Sequence, residues 1–281
     1  MTPAEHAQLA LLLEVAGTPK PGNVDRDRDF PDLRFEHFLT GAVGSGAGLR
    51  AAEADASVGE AFEESVAGMS QQSGGNTQFG ALCLLVPLVK ATAEKTCSPE
   101  SASEVVEGTT VEDAVGFYRA FDHVNVFVDD PPEGADEFDV RRGSDAVPAI
   151  REAGLTWYDV MELGANEDGI AHEWTSGFER TFEAGERIAE LDGSLSGRGA
   201  RVYLELLAHE PDTLVAKKHG KKTAESVRVR AQEALQEVRK GEPELLHAFS
   251  DSLVENGINP GTTADIVAGG LFVALERGIR P

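Results

Sequence analysis

The chain has 281 residues, a formal net charge of −24 and two cysteines, and this combination excludes several classes of protein. A surface this acidic repels nucleic acid and anionic membranes, so neither is expected as a partner. No apolar run approaches the roughly 20 residues of a membrane span. Met1 leads directly into a polar segment, so no signal peptide is expected, and the sequence predicts a cytoplasmic protein without a disulfide framework.

The acidic residues are spread along the whole chain instead of collecting in a tail. Such a distribution keeps a protein dissolved at high salt, where screening weakens self-repulsion. We therefore predict a halophilic source and a melting temperature that rises between low and molar salt. Thermal unfolding across a KCl series measures this, and a melting temperature that stays flat or falls would contradict the hypothesis.

The first predicted helix leads into a stiff loop. Its start is the capping box Thr2-Pro3-Ala4-Glu5, and Gly17 is a natural end. Glu14 lies at the unfavourable end of the helix dipole, where a misplaced charge often has a function. Pro19 and Pro21 then hold extended backbone. A solvated turn is the commoner role of such a loop, but prolines that pre-organise it favour a binding site.

A second helix is predicted from Arg34 to Ala54. It is interrupted by four glycines, each unfavourable by about 1 kcal/mol relative to alanine. Close helix packing or a ligand lying against the backbone would both account for them, and the sequence leaves the two alternatives open. The glycines are Gly41, Gly44, Gly46 and Gly48.

The apolar run from Phe79 to Leu88 predicts a buried helix that is kinked at Pro87. It follows a Gly-Gly-Asn-Thr loop, and the free N–H groups at such a helix start form an anion site. The commoner alternative is that Asn76 or Thr77 only caps the helix.

The rest of the chain predicts further helices joined by turns. Val124–Val128 is interpreted as a helix end, with a short strand as the alternative, and Asp129–Asp139 as a loop or lid. A basic cluster in this acidic chain is predicted to bind phosphate. The alternative is that its lysines lie at a helix end and only offset the helix dipole there. The cluster is Lys217, Lys218, His219, Lys221 and Lys222.

With about ten predicted helices, no clear pair of strands and no convincing linker, the sequence predicts a single compact all-α domain over residues 1–281. Neither a Walker P-loop nor G-x-G-x-x-G occurs, so a nucleotide would not be held by the usual α/β motif. No Cys/His spacing indicates zinc.

Four segments resemble, in the expected order, the motifs of the triphosphoribosyl-dephospho-CoA synthase family. They are P-K-P-G-N-V-D-R at 19–26, G-G-N-T-Q-F-G-A at 74–81, P-D-T-L-V-A-K-K-H-G at 211–220 and N-P-G-T-T-A-D-I at 259–266. The resemblance implies a divergent, archaeal-type member of that family. Such an enzyme moves the triphosphoribosyl part of ATP onto a ribose hydroxyl of dephospho-CoA and releases adenine.

This reaction needs Mg²⁺ and cations for the triphosphate, carboxylates near a developing oxocarbenium ion, and a general base. The candidate catalytic groups are Glu14, Glu36, His37 and His219. The candidate contacts to phosphate, sugar or base are Lys20, Asn23, Arg26, Asn76, Thr77, Lys217, Lys218, Asn259 and Thr262. The candidate Mg²⁺ ligands are Asp25, Asp29 and Asp265. We expect Asp25 and Asp265 outside the core, on one wall of a cleft.

One departure leaves the acceptor open. Gln78 and Phe79 stand where the better known members of the family are expected to have His-Lys. One alternative is ribosyl or triphosphoribosyl transfer to another coenzyme precursor, such as a pterin. Another is a non-catalytic nucleotide-binding protein of the same fold. The expected partners are small molecules, and a homodimer is compatible with the sequence.

Overall fold

The computed structural model describes residues 1–131, 134–242 and 244–281, and its regular structure in these ranges is helical. Two 3₁₀ segments, Asp136–Phe138 and Val140–Ala146, accompany the α-helices. The α-helices are α1 Pro3–Ala16, α2 Phe35–Gly44, α3 Gly46–Glu53, α4 Val58–Met69, α5 Phe79–Glu94, α6 Pro99–Glu107, α7 Val111–Ala120, α8 Val147–Ala153, α9 Trp157–Gly164, α10 Gly169–Thr175, α11 Glu179–Glu190, α12 Leu195–His209, α13 Thr213–His219, α14 Lys221–Lys240, α15 Glu244–Glu255 and α16 Gly261–Glu276.

The all-α class is confirmed, but the helices are more numerous than the expected ten or so. The predicted helix from Arg34 to Ala54 is two helices, α2 and α3, that meet at the buried Ser45. Val124–Val128 forms neither a helix nor a strand. Asp129–Asp139 is irregular apart from its 3₁₀ segment, and two of its residues, 132 and 133, lie outside the described residues. None of the helices described combines the length and apolar character of a bilayer span.

Contacts between residues divide the chain into two compact units. Unit 1 contains Met1–Leu9 and Thr40–Glu179, and unit 2 contains Ala10–Leu39 and Arg180–Pro281. Helices α1 and α2 each contribute residues to both units. The prediction of a single domain therefore stays a prediction, and the two units are described separately.

Unit 1 has an aromatic core around α5. The rings of Phe62 and Phe79 lie edge to face with centroids 5.1 Å apart, and Trp157 and Trp174 lie 4.5 Å apart. Helix α5 continues through Pro87, which has no N–H for the carbonyl of Cys83 four residues earlier. The indole Nε1 of Trp174 donates to that carbonyl at 3.0 Å instead. A proline is therefore tolerated in this buried helix because a side chain replaces the missing donor.

Close packing accounts for glycines of α2 and α3. A Cβ on Gly44 would lie 2.2 Å from the carbonyl oxygen of Gly68 in α4, and a Cβ on Gly68 would lie 2.1 Å from that of Gly44. Gly48 faces α4 in the same way, because a Cβ on Gly48 would lie 2.3 Å from the backbone nitrogen of Ser65. These glycines let two backbones approach at distances that a methyl group would prevent.

Gly44→Ala is expected to lower the free energy of unfolding by about 1–3 kcal/mol, because the methyl group forces α2 and α4 apart. Chemical denaturation measures the change. The matched control is Gly164→Ala at the end of α9, where the nearest atom would be 3.6 Å from the new Cβ. That substitution should be neutral or stabilise by up to about 1 kcal/mol. Equal effects of both substitutions would contradict the packing explanation.

Unit 2 is organised around α16, which is apolar and buried along nearly its whole length. Gly269 and Gly270 bring α16 against α11, because a Cβ at either position would lie 2.7 Å from a side chain of that helix, Thr181 or Ala184. The close approach fixes α16 within the unit. Its amino end, which carries the Asn-Pro-Gly-Thr-Thr segment, is thereby held in place for the contacts described next.

Candidate functional site

The loop after α1 is held by the carboxylate of Asp25. Its Oδ2 accepts a hydrogen bond from the backbone nitrogen of Lys20 at 2.9 Å, and its Oδ1 accepts one from that of Asp27 at 2.9 Å. Asp25 also forms an isolated antiparallel bridge with Arg28. Asp25 is 0% exposed, so the expectation that it lies outside the core is wrong. A short polar side chain that accepts two backbone N–H groups organises the whole turn from within.

The amino group of Lys20 is buried in a polar network. Its Nζ contacts Oε1 of Glu14 and donates to Oδ1 of Asn23 at 2.9 Å. The Nδ2 of Asn23 donates in turn to Oδ1 of Asn259 at 2.9 Å. Lys20 is 0% exposed and Glu14 is 6% exposed. We refer to Glu14, Lys20, Asn23 and Asn259 as the Lys20 network.

Burial gives Glu14 unusual acid–base properties. Removal from water raises the pKa of its carboxyl group, and the neighbouring Lys20 ammonium offsets only part of that rise. The negative charge of Asp25 raises it further. A carboxyl group whose pKa is moved toward neutrality is suited to accept a proton during catalysis.

The loop fits its surroundings through two further contacts. The hydroxyl of Tyr203 in α12 donates to the carbonyl of Pro21 at 2.8 Å, and the ring of Tyr203 lies 6.0 Å from Nζ of Lys20. Gly22 has a φ of +72°, and a Cβ there would lie 2.5 Å from the carbonyl oxygen of Ile258. Only glycine allows the loop to pass the Leu253–Ile258 segment at this distance.

A second buried carboxylate joins α13 to α16. Asp212 caps α13 by accepting from the backbone nitrogen of Val215 at 3.0 Å. Its other oxygen accepts from both the backbone nitrogen and the hydroxyl of Thr263, each at 2.8 Å. Burial raises the pKa of Asp212, although these hydrogen bonds oppose the rise. The hydroxyls of Thr213 and Thr262 lie 3.0 Å apart beside it.

Three of the four sequence motifs therefore meet within unit 2. The loop motif at 19–26 contacts the motif at 259–266 through Asn23 and Asn259. The motif at 211–220 contacts the same segment through Asp212 and Thr263. Segments that are far apart in sequence converge on one buried polar region.

A family model described as CitG, ATP:dephospho-CoA triphosphoribosyl transferase, matches residues 1–280. The chain belongs to this family. Among solved structures, a protein from Archaeoglobus fulgidus with a provisional assignment as a triphosphoribosyl-dephospho-CoA synthase has a similar fold. Its TM-score is 0.70 at 24% identity, over 86% of this chain and 100% of that one. No curated protein gives a significant match.

The match confirms the family and the type of reaction that the four motifs predicted. The protein is a triphosphoribosyl transferase, with ATP as the donor and dephospho-CoA as the acceptor. The assignment covers the whole chain rather than one segment. The roles of individual residues, by contrast, stay predictions.

The structure places several of the transferase's predicted site residues at or near the surface. Asp29 is exposed and accepts from the backbone nitrogen of Phe35 at 2.8 Å, at the start of α2. His37 accepts at Nδ1 from the backbone nitrogen of Arg34 at 3.2 Å. The other exposed members of the set are Arg26, Glu36, Lys218 and His219.

The remaining predicted residues divide between the two units. Lys217, Lys218 and His219 form the last turn of α13, and Lys221 and Lys222 begin α14, so the basic cluster spans a helix junction at Gly220. Asp265 lies half-buried in α16, just after the first turn of the helix, so the expectation that it falls in that turn is wrong. Asn76 and Thr77 precede α5 in unit 1.

A resident Mg²⁺ ion does not fit Asp25 as it stands. Both of its oxygens already accept backbone hydrogen bonds, and the side chain is fully buried. Within residues 1–131, 134–242 and 244–281, no group of three or more acidic, histidine or cysteine side chains is arranged to hold a metal ion.

Tyr203, Asp212 and Thr263 contact the site but were not among the predicted residues. Asp212 carried a local signal, since it precedes α13 at the N-cap position and stands within a recognised motif. Thr263 stood in another motif without a signal of its own. Nothing in the sequence distinguished Tyr203 from the other apolar-face residues of α12.

Proposed function

We propose that the Lys20 network is the reactive centre at which this transferase moves the triphosphoribosyl group of ATP to dephospho-CoA. The observation that carries the proposal is the buried Glu14 and Lys20 pair, at the point where three motifs of the family meet. A buried ion pair contributes little to stability on balance. Its presence beside a pre-organised loop is better explained by chemistry than by folding.

The reaction breaks the bond between C1′ of the ATP ribose and adenine, and forms a bond between C1′ and a ribose oxygen of dephospho-CoA. In our proposal Glu14 accepts the proton of the attacking hydroxyl. Adenine gains one proton as it leaves, so the proton count balances over the reaction. His37 and His219 are the proposed donors to adenine, and Glu36 is a second carboxylate for the oxocarbenium-like state.

Lys20 has a positioning role in this scheme. Its ammonium holds Glu14 and orients Asn23, whose amide reaches Asn259. Because Lys20 is fully buried, direct contact with phosphate would require it to leave Glu14. The proposed contacts to the triphosphate are therefore Lys217, Lys218 and Arg26, with Asp29 and Asp265 facing the substrate's Mg²⁺. Thr262 and Asn259 are proposed to contact the ribose.

Incubation of the purified protein with ATP, Mg²⁺ and dephospho-CoA at several KCl concentrations tests the proposal. We expect adenine and the triphosphoribosylated product in equal amounts, measured by chromatography and mass spectrometry. Adenine that appears with a cell extract but not with dephospho-CoA would favour another acceptor. Bound but intact ATP with every acceptor would favour the non-catalytic alternative.

A further inference from the structure

The side chain of Gln78 is buried without a hydrogen-bond partner. It is 3% exposed, and neither its Nε2 nor its Oε1 has a partner among the described residues. Gln78 stands at the N-cap of α5, yet its side chain makes no capping bond. Native proteins rarely leave both atoms of a buried amide unpaired, because each unpaired group destabilises the fold. The side chain is therefore arranged for something other than stability.

A second unpaired group lies next to it. The Oγ1 of Thr77 is also buried without a partner. A Cβ on Gly41 would lie 2.7 Å from Oγ1 of Thr77 and 2.9 Å from Oε1 of Gln78, so the two oxygens converge on one place. The absence of a side chain at Gly41 is what leaves room for them. The residues involved all belong to unit 1.

The adjacent helix start is already capped. Oδ1 of Asn76 accepts from the backbone nitrogen of Phe79 at 3.1 Å, and the backbone nitrogen of Gln78 donates to Sδ of Met69 at 3.3 Å. Gln78 is thus not needed as a cap. What it offers is one donor beside one acceptor at the amino end of a 16-residue helix.

We infer that Gln78, assisted by Thr77, binds a neutral ligand edge that presents an acceptor beside a donor. The N6/N7 edge of adenine has this chemistry, and glutamine pairs with it through two hydrogen bonds. Phosphate does not fit, because its oxygens only accept and the Oε1 of Gln78 would face them without a donor. The proposed function supplies the choice of probes, since both of its substrates contain adenine, whereas the trans secondary amides of pantetheine hold their C=O and N–H on opposite sides.

Calorimetric titration of the full-length protein with adenosine and, separately, with pantetheine tests the inference. Gln78→Leu removes the donor and the acceptor and puts an apolar side chain of similar size in their place. We expect it to weaken adenosine binding at least tenfold, while any binding of pantetheine stays within twofold. Unchanged affinity for adenosine, or no binding of adenosine to the unaltered protein, would overturn the inference.

Gln8→Leu is the matched control. Nε2 of Gln8 donates to the carbonyls of Ala42 at 3.1 Å and Val43 at 3.3 Å, so the donor group of this amide has partners. Its loss should lower the melting temperature without changing the affinity for either probe. Gln78→Leu should leave the melting temperature unchanged or raise it. A fall equal to that of Gln8→Leu, with binding unchanged, would show that the Gln78 amide is structural.

Adenine release separates failure of the inference from failure of the proposed function. An active protein whose probe affinities do not depend on Gln78 would refute the inference alone. A protein that releases no adenine, but loses adenosine binding on Gln78→Leu, would refute the proposed function and retain the inference.

Discussion

Glu14→Gln is expected to lower the rate of adenine release by about 10²–10⁴-fold, which is the contribution typical of a positioned general base. Glutamine keeps the shape of the side chain, and its amide oxygen can still accept from Nζ of Lys20. The hydrogen bond is kept but the charge of the pair is not, so circular dichroism and thermal unfolding must show that the variant is folded under the assay conditions. The loss should appear mainly in kcat, because the proton transfer occurs only as the reaction proceeds.

The pH profile gives a sharper test of the same role. Glu14 must be ionised to accept a proton, so the rate should fall as pH falls through its pKa. Burial raises that pKa above the ordinary value of 4.5, and the fall should therefore begin at a higher pH than for an exposed carboxylate. Glu14→Gln should abolish this fall of the rate at low pH. Glu36→Gln, at an exposed position in α2, is the comparison because Glu36 is the other proposed carboxylate, and loss of the low-pH fall there instead would transfer the role of base to Glu36.

Lys20→Met is expected to have the largest effect on stability. It leaves the Glu14 carboxyl buried without its cation, and removing one partner of a buried pair lowers the free energy of unfolding by about 3–5 kcal/mol. The folded-state pKa of Glu14, already raised, should rise further. A raised pKa in the folded state means that stability is greatest at low pH and is lost as pH rises through that pKa. Denaturation of the variant across pH measures this directly.

Two companion variants isolate the charge effect. Glu14→Gln combined with Lys20→Met removes both charges and should recover much of the lost stability, as a double-mutant cycle would show. Lys240→Met removes a lysine that is 62% exposed and pairs with Glu237 at 2.8 Å. That change should stay within about 0.5 kcal/mol. A Lys20→Met variant as stable as Lys240→Met would contradict the burial of the pair.

Local signals predicted much of the fold. The capping box of Thr2 and Glu5 and the proline-led start of α1 lie where the sequence placed them, because a cap is decided by residues within four positions. The apolar run of α5 was correctly predicted to be a buried helix. The break between α2 and α3 at Ser45 was not predicted. Helix propensity depends on local sequence, whereas this break depends on how closely the two helices approach α4.

The site was predicted less completely because its contacts span long distances in sequence. Asp25 was taken for a surface residue, as charged residues in Pro-Gly loops usually are. It is buried because the Lys20 and Asp27 backbones turn their N–H groups toward it. Gln78 was noticed as a departure from the family motif, but only its burial without a partner gives that departure a chemical meaning.

The sequence by itself determined the helical class, the acidic surface, the family and therefore the reaction, because these depend on composition, periodicity and short motifs. Only the tertiary structure decided which residues of the four motifs contact one another. Asn23 and Asn259 are 236 positions apart, and Asp212 and Thr263 are 51 apart, yet each pair is joined by hydrogen bonds of 2.8–2.9 Å. Such pairing, and the burial that raises the pKa of Glu14, results from how helices pack. No local pattern of residues encodes it.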